Sequence, residues 1–499
     1  MIAQLLARSG LVDLLTFDAV DLGWLAERLQ LDLAGVTVRV LEDRPGAVTE
    51  AAAGYDLFVN VSFMSVDPAP HERSIYVVHF PTSPHAHIAR WKRAVLRATE
   101  PLRRSLPASV RWGEGFYHRE PGRRGVAWTT GHGRIFVTTE PGRPTPVVIR
   151  FGDQRPRELT EVEVSVLVDG ERAAAARVGP SVGRVRDRFG VPVRFDVASP
   201  ARGVEVAVEI CSDTFRPVDV DGGDDTRTLG VPIQSLRMGN SVMARLASQF
   251  PILTTRPLPT DWTDTYGAVV ANSEFTRTWV QRYWDLDSEV LYPPVTMFPS
   301  GPKEGMILSA GRFFAADQGH SKKQLEMVQA FRRLCDAGIE GWRLHLVGGC
   351  AADGQGYLDK VRRAAAGYPV EVTVNATGSA LADLYARASI YWHASGLGED
   401  ENRRPDRLEH FGITTVEAMS AGAVPIVIGL AGQVETVRHG VDGYHFTTLR
   451  GLAAHTRTLI SSPEQLEAMS RSAQERARAF SIDAFDRDLR RILDDLEVR

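Results

Sequence analysis

A chain of 499 residues, 43% hydrophobic and 24% charged, is long enough for two or three packed domains and has the balance of ordinary globular protein. Its net charge of −4 gives no overall reason to expect nucleic acid as a partner. Cys211, Cys335 and Cys350 form neither a disulfide framework nor a zinc spacing, and no apolar run reaches the ~20 residues that span a bilayer. A reducing, cytoplasmic setting fits, since Met1 to Gly10 is short and mixed rather than a signal peptide.

In chain order, Ile2 to Arg8 reads as the tail of a helix, Val12 to Thr16 as a buried strand and Asp21 to Leu29 as a helix. Strand-like runs follow at Val36 to Leu41, Leu57 to Val61 and Ile75 to His79, with helix-like or loop-like pieces between them. His79 falls at a strand's carboxyl end, where a lone histidine serves either structure or function. Ser83 to Leu106 gathers His85, His87, Arg90, Lys92, Arg93, Arg97, Arg103 and Arg104 around Trp91, Val95, Leu96 and Leu102. Such a basic amphipathic stretch suits an anionic membrane surface or a solvated face. From about Glu120 to Asn240 the pattern turns all-β. Val162, Val164, Val166 and Val168 alternate with other residues, Asp169-Gly170 turns the chain, and Val204, Val206, Val208 and Ile210 alternate again. Asp219, Asp221, Asp224 and Asp225 near its end read as a charged loop, the other reading being a divalent-metal site.

The α/β pattern then resumes, with a strand at Tyr266 to Ser273, a helix at Glu274 to Tyr283 and a strand at Glu289 to Pro294. Further strands are expected at Met306 to Ala310, Leu344 to Gly348, Val370 to Val374, Ile390 to Ala394 and Val424 to Ile428. Helices separate them, notably Lys323 to Ala337, Leu381 to Ala388 and Ile413 to Ala421. This alternation predicts a parallel, doubly wound sheet. Ile482 to Leu496 closes the chain as an amphipathic helix.

The stretch Arg407 to Gly443, RLEHFGITTVEAMSAGAVPIVIGLAGQVETVRHGVDG, carries the chemistry. On one continuous helix Glu409 and Glu417 would stand about 80° out of register. Gly412 favours a loop instead, followed by a helix that stops at Gly422. Glu409 then lies just before the helix and Glu417 inside it. The N–H groups of Phe411, Gly412 and Ile413 face outward at the helix start, where phosphate binds.

A Glu, seven residues and a second Glu, with His-Phe-Gly after the first and Glu-Ala-Met around the second, resembles the donor-site motif of retaining glycosyltransferases of family 4 (glycosyl transferases group 1). The EHFGI wording is similar to mannosyltransferases that elongate lipid-linked oligosaccharides. DLFVNVS, YVVHFP, ANSEFTR, YPPV and GRFFAADQGHSKKQLEMVQAF resemble further segments of that family. The resemblance implies the GT-B fold, two Rossmann-like doubly wound α/β domains facing across a cleft, here with an all-β insert in the N-terminal domain. The expected organisation is 1–119 and 241–296 for the N-terminal domain, 120–240 for the insert, 297–480 for the nucleotide-sugar domain and 481–499 for a helix returning to the N-terminal domain. The family's first strand and Gly-rich loop are not recognised ahead of Asp21, so either the start site is wrong or the first strand is missing.

The resemblance also implies roles. Arg312 and Lys322, with the amides of Phe411, Gly412 and Ile413, would surround the donor diphosphate. Glu417 would bind the ribose, Glu409 would contact the donor sugar beside the reacting carbon, and His79 would approach from the opposite domain. The donor would be a nucleotide-sugar and the acceptor a glycan or lipid-linked glycan. No cofactor and no metal are expected, because cationic side chains replace the ion. A peripheral position at the inner membrane face goes with the basic segment. Two other readings stay open: a sugar-nucleotide epimerase or phosphorylase of the same fold, and a non-catalytic carbohydrate-binding protein.

Overall fold

The computed structural model describes the chain except residues 1, 30, 44–45, 85–108, 118–126, 140–141, 153, 157, 180–189, 199–204, 222–224, 240–259, 315–320 and 499. The basic stretch of Ser83 to Leu106 therefore lies almost wholly outside the described residues, as does Asp224.

β1 (Val12–Thr16) and β2 (Val36–Val40) pair in parallel as a two-stranded sheet of their own. The expectation of a buried strand at Val12 to Thr16 is corrected: none of its five residues is buried, and Leu11 before it is 95% exposed. A parallel strand is buried when strands flank it and helices cover both faces, and a lone pair supplies neither. β3 (Phe58–Asn60) and β4 (Ser74–Val78) pair separately, and all five residues of β4 are buried.

Antiparallel strands follow: β5 (Ser109–Trp112), β6 (Ala127–Trp128), β7 (His132–Thr138), β8 (Thr145–Phe151), β9 (Val162–Val168), β10 (Glu171–Val178), β11 (Val191–Val197), β12 (Glu205–Ser212) and β13 (Pro232–Met238). They make two sheets, β10-β9-β12-β7-β5 and β11-β8-β13-β6. Inward residues of both, among them Ile135, Ile149, Val164, Phe195 and Val208, share one core, so the sheets pack face to face. Asp169 and Gly170 both have positive φ (49° and 83°), as a two-residue hairpin turn between β9 and β10 requires. The antiparallel pairing starts at Ser109, ahead of residue 120. Asp219 and Asp221 sit in a short helix, Pro217–Asp221, rather than in an open loop. Asp225 pairs with Arg227 at 2.6 Å.

The chain returns with β14 (Ala268–Ala271), which pairs in parallel with β4, and β15 (Glu289–Val290), giving the order β15-β14-β4-β3. Six parallel strands complete the molecule: β16 (Glu304–Ala310), β17 (Arg343–Gly348), β18 (Val370–Val374), β19 (Ala388–His393), β20 (Val424–Ile428) and β21 (Tyr444–Phe446). Their spatial order is β18-β17-β16-β19-β20-β21. The order reverses between β16 and β19, and in such a sheet the crevice outside the carboxyl ends of those two strands is where ligands bind.

The helix Ile482–Val498 packs Phe485, Leu489, Ile492 and Leu496 against Ile75, Val77 and Val270 of β4 and β14, and against Leu5. The last helix therefore completes the core of the first parallel sheet. The chain passes between the halves twice at one place, where the Val295 N–H donates to the Phe480 carbonyl (3.0 Å). No helix among the described residues is long and apolar enough to cross a membrane.

Candidate active site

The loop leaving β16 begins with Gly311 and Arg312. A Cβ on Gly311 would lie 2.8 Å from Cγ of Lys322, so glycine here leaves the room that the Lys322 side chain fills. Buried Gln324 fixes the turn by donating through Nε2 to the carbonyls of Gly311 (3.1 Å) and Arg312 (3.0 Å). Lys322 is thereby aimed across the switch point, where its Nζ meets Oε2 of Glu409 at 2.5 Å.

The same Glu409 oxygen lies 3.1 Å from Nε2 of His393, the last residue of β19. Burial alone would push the Glu409 carboxyl up, but the Lys322 charge and the His393 hydrogen bond outweigh it and hold the group well below the usual carboxylate range. Burial holds the His393 imidazole below its ordinary value, with the Glu409 contact opposing. The centre is an ionised carboxylate between an ammonium and an imidazole, at the carboxyl ends of the two strands flanking the switch point. His393 was not among the residues expected from sequence. It reads there as one more residue in a buried strand, ASIYWH.

Glu409 precedes the helix Ile413–Ser420, as expected, and Glu417 lies within it. Gly412 adopts φ 101°, ψ 57°, a conformation glycine accepts without strain, and this turns the chain into the helix. The N–H groups of Gly412, Ile413 and Thr414 make no hydrogen bond among the described residues. Tyr391 holds this end of the helix against β16. Its hydroxyl donates to Oγ1 of Thr414 (2.8 Å) and lies 3.3 Å from the Ala310 carbonyl. Glu417 accepts a hydrogen bond from the Tyr385 hydroxyl (2.8 Å). Burial pushes its carboxyl up to about 7, with that hydrogen bond opposing.

A second segment supports the first. The Gly432 N–H donates to the Glu409 carbonyl (3.0 Å), and Gln433 packs against Gly412. Nδ1 of His393, Oγ of Ser395, Oγ1 of Thr415 and both amide atoms of Gln433 are buried without a hydrogen-bond partner among the described residues. Each such buried, unpaired polar atom is costly unless a polar partner meets it.

Lys322 thus meets Glu409 just ahead of Gly412, and Glu417 lies in the helix that Gly412 opens. Arg312 is exposed, its guanidinium over the Phe314 ring (5.5 Å). Phe411 is buried, with its ring near Tyr292 (5.7 Å) and Phe480 (5.3 Å), so only its backbone can face a ligand. His79 lies one residue past β4, exposed, with Nε2 2.9 Å from the Val61 carbonyl. It makes no hydrogen bond to the Lys322–Glu409–His393 group among the described residues. Phe80 beside it does reach across, stacking on His410 at 4.0 Å and 13°.

Residues 298–476 match the family model described as Glycosyl transferases group 1. A GDP-Man:Man(3)GlcNAc(2)-PP-Dol alpha-1,2-mannosyltransferase from Dictyostelium discoideum is 24% identical over an alignment of 235 positions, covering 43% of this chain and 44% of that relative. The chain thus spans less than half the length of the curated relative it matches. Among solved structures, a glycosyltransferase from Rickettsia africae ESF-5 is similar at TM-score 0.39 and 19% identity, over 46% of this chain and 63% of that one. Sucrose-phosphate synthase from Thermosynechococcus elongatus is similar at 0.40 and 19%, over 48% and 60%. Anabaena HepE in complex with UDP and glucose is similar at 0.38 and 20%, over 47% and 65%. This chain carries a glycosyl transferases group 1 domain, over residues 298–476.

Proposed function

We propose that the chain is a retaining glycosyltransferase of family 4 and GT-B architecture, moving a sugar from a nucleotide-diphosphate-sugar to a glycan or lipid-linked acceptor. The observation that carries this reading is the Lys322–Glu409–His393 group, set beside the open start of the helix Ile413–Ser420 at the switch point of the sheet. A diphosphate leaving group gains negative charge as the glycosidic bond breaks, and preorganised cations and N–H groups are what that charge needs. Lys322 supplies a point charge, Arg312 a planar fork, and Gly412 to Thr414 the free amides. Glu417 accepts the ribose hydroxyls, and Glu409 accepts a hydroxyl of the sugar being transferred. His79 belongs to the acceptor side.

In this reading the acceptor oxygen attacks the anomeric carbon on the face the diphosphate leaves. The new carbon–oxygen bond forms as the bond to phosphate breaks, and the acceptor proton passes to the departing phosphate oxygen. His393 and Lys322 keep Glu409 ionised throughout, so it stays an acceptor and takes no proton. Arginine, lysine and helix amides do what a metal would otherwise do. The Dictyostelium relative is named for a GDP-mannose donor, so GDP-mannose is the first donor to try. The reading extends to a cytoplasmic protein touching an anionic membrane reversibly through the 83–106 segment, where each basic residue contributes about 1 kcal/mol.

Turnover of Lys322→Ala and Arg312→Ala tests the clamp. Each is expected to fall at least ~100-fold, as on loss of one transition-state donor, while EDTA leaves the parent rate intact. Near-normal rates in both variants, or a rate abolished by EDTA and restored by magnesium, would remove the clamp from the mechanism.

A further inference from the structure

The helix Glu274–Trp284 belongs to the half of the molecule built on β4 and β14. Its first N–H groups lack partners within the helix, as at every helix start. Ser273 takes the N–H of Thr276 (3.0 Å). The N–H groups of Glu274 and Phe275 go elsewhere. Each donates to a different oxygen of Glu435, both at 2.7 Å. The Tyr292 hydroxyl adds a third bond to Glu435 at 3.2 Å. Glu435 therefore caps a helix some 160 positions away in sequence, in the opposite half.

Glu435 is joined closely to the candidate site. It lies in the short helix Gln433–Thr436. That helix is preceded by Gly432, whose N–H holds the Glu409 carbonyl. The loop after Glu409 makes the second contact with the same helix, since the His410 ring stacks on Phe80 (4.0 Å) and lies 6.0 Å from Phe275, nearly parallel to both, with Phe80 and Phe275 themselves 6.0 Å apart. Phe80 follows His79 in the chain, and His410 follows Glu409. The neighbours of the two proposed catalytic residues are thus stacked on each other, and Glu435 pins the stack from beside it.

We infer that Glu435 is a positioning residue for sugar transfer, fixing the donor loop of one half against the acceptor side of the other by capping the helix Glu274–Trp284. The inference rests on the glycosyltransferase reading for its reaction, and on geometry alone for the contact. Transfer needs the acceptor oxygen placed to well within 1 Å of its attack position, whereas donor binding needs only the crevice of the C-terminal half. Loss of the cap should therefore separate the two. Burial pushes the Glu435 carboxyl up, so the group is held at a cost that the three hydrogen bonds offset.

The test uses the whole chain and Glu435→Gln, which keeps the size but sets an NH2 group against one of the two N–H donors. With GDP-mannose, or the donor a screen identifies, kcat should fall at least ten-fold, while donor affinity by direct titration stays within two-fold. Glu435→Asp, which keeps two acceptor oxygens on a shorter stem, should fall between. Hydrogen exchange at Glu274 and Phe275 should quicken in the glutamine variant, with β20 unchanged as the control. Unchanged exchange there would overturn the cap. Quickened exchange with normal kcat, or donor affinity lost in step with kcat, would overturn the positioning role. A parent chain that transfers no sugar from any donor would instead sink the glycosyltransferase reading and the positioning role with it, and the exchange arm would still decide whether Glu435 joins the halves.

Discussion

Glu409 and Glu417 are one carboxylate type in two opposite environments. Glu409 is ionised by its neighbours, and Glu417 is driven toward neutrality by burial. If Glu409 holds the reacting sugar as proposed, Glu409→Gln should chiefly lower kcat, because such a contact strengthens in the transition state. It should also lower stability, since Lys322 loses its partner in a largely buried pair. Glu417→Gln should chiefly raise donor KM. Its pH dependence has a definite sign. Between the ordinary value of 4.5 and about 7 the folded chain keeps a proton that the unfolded chain has lost. Stability from this group is therefore complete below about 4.5 and lost as pH rises through about 7, by roughly 3 kcal/mol. Glu417→Gln, a mimic of the protonated form, should melt above the parent at pH 8 and level with it near pH 4.5. Donor KM of the parent should fall as pH rises through 7, and that of the variant should not. Melting curves and donor kinetics at both pH values check this; a parent donor KM flat across pH 6 to 8 would separate Glu417 from the ribose.

At the scale of elements, the 409–412 loop depends on a backbone contact that admits no side chain. A Cβ on Gly432 would lie 2.1 Å from the His410 carbonyl oxygen and 2.6 Å from the Phe411 Cα. Its φ of −61° suits any residue, so the constraint is space alone. Gly432→Ala should push the 409–412 loop outward, costing about 1–3 kcal/mol in overpacking and at least ten-fold in turnover. A variant with parental kinetics and melting temperature would show that the loop yields freely. Much of this half was legible in the sequence. β20 falls on the expected residues, because a fully buried parallel strand reads as a short apolar run, and β18 does so too although it is an edge strand with no buried residue. The same rule misjudged β1, since VDLLT has the composition of a buried strand and nothing local tells whether neighbours will cover it. The strand expected over Glu289 to Pro294 shrinks to Glu289–Val290, where two prolines end the pairing. His393 and Glu435 stayed hidden for a different reason. Each acts through a partner distant in the chain, 16 and about 160 positions away, and spacing along a sequence does not report such contacts.

Across the whole molecule, the two halves differ in how they are assembled from the chain. Residues 298–480 form one continuous piece, whereas the first parallel sheet needs residues from both sides of it. Phe485, Leu489, Ile492 and Leu496 are buried against β4 and β14. At roughly 1.5–3 kcal/mol for each buried apolar side chain, they contribute on the order of a domain's entire net stability. A chain ending at Phe480 should keep the melting transition of the C-terminal half and lose that of the first sheet, in calorimetry or in exchange of the β4 amides. Retention of slow exchange in β4 would mean that the sheet stands without its last helix.

The placement of that helix also fixes a timetable. On the ribosome the β16–β21 sheet has all its residues before Ile482 is made, so the half encoded later can finish folding earlier. The half encoded first must wait with an apolar face open until the last turns of Ile482–Val498 emerge. Its exposure time is set by the translation of everything in between, and so a pause late in the message should raise aggregation of the half encoded at its beginning.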